Sequence, residues 1–187
     1  MKVFTPCVLF PSTLLLIYLA LTGQSNTRRI IREGALAGLF AAVIYDVFRV
    51  PFVLAGKPLF AIFPKFGQML LYGTLATNDT GVGVQAVGWA YHFSNGAALG
   101  IMFLAMMPSR VSRTGRFAGA IAWAVGVEIL LLLSPYYQFF QLKMDWAEFL
   151  WLTLSAHIVF GLALAWWCEK RLHEKASARK ESLGSIH

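Results

Sequence analysis

Five stretches of this chain, residues 3–22, 34–54, 84–107, 117–133 and 146–167, are almost wholly apolar. Each has about the 20-residue length that carries a helix across a hydrocarbon core. In lipid every backbone N–H and C=O must be satisfied within the protein, so only helices or closed barrels span. The short alternating strands of a barrel are missing from the pattern. The expected fold is therefore all-α: a polytopic integral membrane bundle of about five transmembrane helices. It forms a single domain over residues 1–169, followed by a charged tail at 170–187. Composition agrees, because 58% of the 187 residues are hydrophobic and only 13% charged. With a mean hydropathy of +0.62, too little polar surface is left to cover a soluble domain.

A sixth apolar segment, 58–76, is too short to span and is broken by Pro64 and Gly67. Its Phe60, Phe63, Phe66, Met69 and Leu70 recur every three to four residues. That spacing fits a helix lying in the interface, or a re-entrant segment. For residues 3–22 a signal peptide is the competing reading. Arg28, Arg29 and Arg32 follow closely and resist translocation, which favours a retained first span.

The net charge of +7 resides in short runs between apolar segments, so the bilayer, not nucleic acid, is the expected partner. The connectors 24–33 and 108–116 and the tail together hold eleven Lys and Arg, and the opposite side holds four. The positive-inside rule then puts the N-terminus outside and the tail in the cytoplasm of a multi-pass plasma-membrane protein, in the bacterial case the inner membrane. Cys7 and Cys168 fall near opposite faces and cannot pair. Asn78-Asp79-Thr80 matches a glycosylation acceptor, but Asn and Asp here read first as a turn.

Four apolar spans each carry an ionisable intruder: Asp46, His92, Glu128 and His157. Such groups are costly in a bilayer, face the bundle interior and often mark working sites. Counted at ~1.5 Å per residue from the outer span ends, they lie about 9–17 Å deep. Each also lies on a face of small residues four apart. These are Gly38 and Ala42, Gly88 and Gly96, Ala120 and Ala124, and Gly161 and Ala165. Small residues let helices approach closely, so the four groups are expected to converge. Arg49 and Asn95, one turn from Asp46 and His92, lie near the same level as candidate cofactor contacts.

Two histidines and two carboxylates suit a transition metal (zinc, iron or manganese) acting on a lipophilic or externally supplied substrate. The signal is spatial, since no HExxH, ExxH or Cys cluster accompanies it. A structural polar network is the alternative, in a non-catalytic accessory subunit docked onto other membrane-protein subunits. A bis-His haem on His92 and His157 would make an electron-transfer subunit, though two carboxylates in its pocket speak against it. A proton or ion pathway is the fourth reading. Tyr45 and Tyr91 are expected on neighbouring faces, and Ser94 lacks the spacing to share a face with His92. Access is expected from the outer side, with the glycine-containing connector 56–83 as a cover.

Overall fold

The computed structural model describes residues 20–107, 111–133 and 144–184, with side chains to Arg171. The first expected span and Cys7 lie almost wholly outside the described residues. What is described is helical, and no strand occurs among these residues. The elements are α1 (Ser25–Leu54), a 3-10 turn (Leu59–Ala61), α2 (Ile62–Tyr72), α3 (Val82–Met106), α4 (Arg113–Leu133) and α5 (Trp146–Gly184). Three helices are long and apolar enough to cross a membrane: α1, α4 and residues Trp146–Arg171 of α5. The 25-residue α3 is as long. It is less apolar because Gln85, Tyr91, His92, Ser94 and Asn95 interrupt it.

One boundary differs from expectation. The basic connector 24–33 is not a loop, since α1 begins at Ser25. Arg is a good helix former, and nothing between Thr27 and Gly34 breaks the helix, so it runs on below the apolar stretch. The charged tail is a helical extension of α5 as far as Gly184. The segment expected at the interface is the 3-10 turn followed by α2. It ends at Gly73, whose φ of 66° is a left-handed cap that suits glycine.

Helix α1 is the centre. It packs against α3 on one side and α5 on the other, while α4 packs on α5 and α2 on α3. The sequence of α1 is amphipathic in reverse. Its buried face is Gly34, Ala37, Gly38, Ala41, Ala42, Tyr45, Asp46 and Arg49. Leu36, Leu39, Val43, Val47, Val50 and Leu54 are exposed at the same helical spacing. A water-soluble helix does the opposite.

The α1–α3 contact is nearly backbone on backbone. A methyl on Gly38 would overlap the Gly96 carbonyl, and one on Gly100 would overlap that of Gly34. Close approach of this kind substitutes dispersion contact for a hydrophobic drive that lipid cannot supply. One end of the bundle is tied by charge. Arg116 Nε pairs with Glu169 at 3.0 Å, joining α4 to α5, and Arg171 Nε with Glu33 at 3.4 Å, joining α5 to α1.

Candidate functional site

The small residues that thin the helix faces bring the four ionisable groups inside the bundle. They meet as two pairs. In the first, on α1 and α3, His92 Nε2 donates to Asp46 Oδ2 at 2.9 Å. Arg49 Nη1 donates to Asp46 Oδ1 at 3.3 Å. Asp46 and Arg49 are 7% and 5% exposed, so the carboxylate is shared by two donors away from solvent. The guanidinium also donates to the Leu59 carbonyl. It lies 4.9 Å from the Tyr45 ring centroid, 5.1 Å from that of Phe60 and 5.7 Å from that of Phe63. A desolvated cation over such rings gains about 2 kcal/mol.

The second pair joins α4 and α5. Glu128 is fully buried. Its Oε1 accepts from the Thr153 hydroxyl at 2.5 Å, and its Oε2 lies 3.1 Å from His157 Nδ1. The Nδ1 proton aims instead at the Thr153 carbonyl, 2.9 Å away. Glu128 Oε2 is thus adjacent to the imidazole but has no aligned donor.

Tyr45 links the pairs. Its ring centroid is 5.9 Å from that of His92 and 5.2 Å from that of His157. The expectation that Tyr45 points to a neighbouring face does not hold, since its ring packs against both imidazoles and lines the same cavity. The available signal was that Tyr45 and Arg49 are four apart and share a face. Thr153 was recognisable as a face partner of His157, though not as the donor to Glu128. The Leu59 carbonyl that caps Arg49 has no sequence signature at all.

Both pairs border one cavity of about 410 Å³. Arg49, Tyr45, His92, Asn95, Thr153 and His157 supply its polar groups, and the remaining lining is apolar. Each imidazole has one nitrogen engaged, Nε2 of His92 and Nδ1 of His157. The other nitrogen has no partner among the described residues. A neutral imidazole held in this way presents a lone pair, as base, acceptor or metal ligand. Asn95 lines the cavity without bonding either pair. Ser94 is exposed and bonds the Ala90 carbonyl, away from the site. Tyr91 packs on Phe66 at 5.0 Å.

The four residues do not combine into one ligand set. No group of three or more His, Cys, Asp or Glu is placed to hold a metal ion among the described residues. The reason is visible in the pairing: Asp46 is engaged by His92 and Arg49, Glu128 by Thr153 with His157 beside it, and Tyr45 packs against both rings.

One end of the cavity is closed by Leu59, Ile62, Phe63 and Phe66 of the 3-10 turn and α2. This cover is held by Arg49 at the Leu59 carbonyl and by Lys57 pairing with Glu148. Behind it, Gln68 Nε2 donates to the Asp79 carbonyl at 2.5 Å, and the Tyr72 hydroxyl to Asp79 Oδ2 at 2.6 Å. Asp79 Oδ1 accepts the Gly81 N–H at 2.7 Å, just ahead of α3. Comparison with protein-family models, curated proteins and solved structures yields no match, so the reading of the site rests on its geometry.

Proposed function

We propose that this chain is a five-span membrane protein, N-terminus outside and tail in the cytoplasm. In its outer half, two carboxylate-backed imidazoles bind the polar head of a lipophilic molecule and exchange a proton with it. One observation carries the reading. His92 and His157 border the same largely apolar cavity, each with one ring nitrogen held and the other free. A carboxylate or carbonyl behind an imidazole fixes its tautomer and ring orientation. An apolar cavity with a few convergent polar groups is the usual form of a small-molecule site. Membrane insertion is supported by the outward Leu and Val of α1 and by the three long apolar helices.

The test is to purify the full chain in mild detergent and extract what it retains. Wild type is expected to carry a lipophile in near-stoichiometric amount. Leu99→Trp, which fills the inner part of the cavity, is expected to lose it while unfolding at the same temperature. Equal retention by both, or by neither, contradicts the reading.

A metal is the second reading, and the backing of the imidazoles favours it. Asp46 and Glu128 stand behind the histidines as outer partners do in metal sites. His92 Nδ1 and His157 Nε2 would be the ligands, and the ion would polarise an oxygen of the bound head. Further ligands would have to come from water or from that head. Elemental analysis of the same preparation decides this, with one zinc, iron or manganese per chain as the supporting result. The ring of Tyr45 against both imidazoles argues against a macrocycle between them.

A further inference from the structure

We propose that the molecule bound is a single-chain amphiphile of the outer leaflet that enters sideways between α3 and α4; this rests on the reading of the site given above. Helices α3, α1, α5 and α4 follow one another by contact, like the staves of an open barrel. The two ends of that series, α3 and α4, both line the cavity but make at most a marginal contact with each other. Among the described residues the opening falls between them. Leu130 of α4 borders the cavity and is also 69% exposed, so the cavity wall continues into the outer apolar surface. The cover formed by Leu59, Ile62, Phe63 and Phe66 closes the alternative route along the bundle axis.

The cavity is also graded along its length. On α1 the lining passes from Arg49 and Tyr45 to Ala42 going inward, and on α5 from Thr153 and His157 to Phe160. On α3 it passes from His92 and Asn95 to Gly96 and Leu99. The polar groups therefore form a band beneath the apolar cover and Phe149, and on these three helices the lining inward of the band is apolar, which suits a head held at the band with its chain directed toward the middle of the bundle. The volume of about 410 Å³ falls in the lower part of the range for small-molecule sites, about 300–1,000 Å³. It suits one chain and not two. The acceptor nitrogens and the Arg49 guanidinium together suit a head with an ionisable O–H, such as a carboxylic acid or a phosphate monoester. Both share that chemistry.

The test uses the full chain in phosphatidylcholine vesicles, with diazirine-bearing probes and the labelled residues mapped by mass spectrometry. The probes are a fatty acid, a single-chain phosphate monoester and a two-chain phosphatidylcholine. Either single-chain probe is expected to label residues 92–99 and 124–131 about tenfold more than the two-chain probe, a ratio worth ~1.4 kcal/mol. All three should label the outward face of α1 at Val43 and Val47 alike. Which single-chain probe labels more strongly identifies the head. Leu130→Trp, at the mouth, is expected to cut interior labelling several-fold and leave Val43 and Val47 unchanged. Equal interior labelling by one- and two-chain probes, no interior labelling, or indifference to Leu130→Trp overturns the proposal. The double variant His92→Asn, His157→Asn separates the two readings. Interior labelling by the single-chain probes that is unaltered in this variant supports the amphiphile and sinks the imidazole reading alone. A lipophile retained by wild type in purification, with no interior labelling by single-chain probes, overturns the amphiphile and leaves the imidazole reading standing.

Discussion

Asp46 is the residue whose loss should be felt most. Its carboxylate answers both Arg49 and His92, and the guanidinium has no other acidic partner at contact distance among the described residues. Asp46→Asn removes the anion and leaves a buried cation uncompensated, which costs about 3–5 kcal/mol. His92→Asn removes a single interhelical bond, worth about 0.6–2 kcal/mol. Unfolding followed in detergent should rank the two in that order. A reversed order would mean that Arg49 is neutralised by something other than Asp46. Outside the bundle, the Tyr72 hydroxyl and the Gly81 N–H hold the Asp79 carboxyl below its usual range. A group with a lowered folded pKa stabilises above its unfolded value and stops doing so as pH falls through the folded one. Proteolysis of the loop between α2 and α3 should therefore rise in acid for wild type, below the ordinary carboxylate range. In Asp79→Asn it should be raised already at neutral pH and change little on acidification. At this scale the sequence was informative about which residues were out of place and uninformative about their partners. Asp46, His92, Glu128 and His157 are conspicuous because apolar neighbours surround them. That each carboxylate would take its own imidazole depends on the rotation of the helices, which spacing alone does not set.

Among the elements, the contact between α1 and α3 is the one with least tolerance. A methyl at Gly38 meets backbone, which cannot swing aside as a side chain does. Gly38→Ala should cost about 1–3 kcal/mol or more through overpacking. Gly126 of α4 is the internal control, since nothing lies within 4 Å of a methyl placed there. Gly126→Ala should be neutral or stabilise by up to about 1 kcal/mol, the helix-propensity gain alone. Thermal unfolding of both variants in the same detergent checks this, and equal behaviour would refute the seam. The helices themselves were readable from apolar runs with small residues every fourth position. Their ends were not. The Arg-rich start of α1 has no cap or breaker to distinguish a connector from a helix. The cover was recognisable as short, aromatic and interrupted. Its seat over the cavity depends on contacts of Gly67 with Val84 and of Gly88 with Phe63, remote pairings that no local pattern encodes.

For the whole molecule, the long apolar helices and the outward Leu and Val of α1 are legible in sequence. The cavity is not, because a void is what remains after every helix has found its neighbour. If the five-span arrangement holds, the end of α3 and the charged tail lie on the same side. A single cysteine introduced at Ser109 and one at Ser177, in a chain with Cys7 and Cys168 replaced, should both resist an impermeant thiol reagent added outside intact cells. Both should react after lysis. Labelling of only one of them from outside would break the topology. The central claim, two imidazoles each held at one nitrogen and free at the other, is open to nitrogen-15 NMR of histidine-labelled protein in lipid nanodiscs. The expected result at neutral pH is one neutral ring protonated at Nε2, assigned to His92 by its loss in His92→Asn. A second neutral ring should be protonated at Nδ1 and vanish in His157→Asn. The unprotonated nitrogens of both should shift when a single-chain carboxylic acid is added. Two rings of the same tautomer, or free nitrogens that ignore the added amphiphile, would contradict the account.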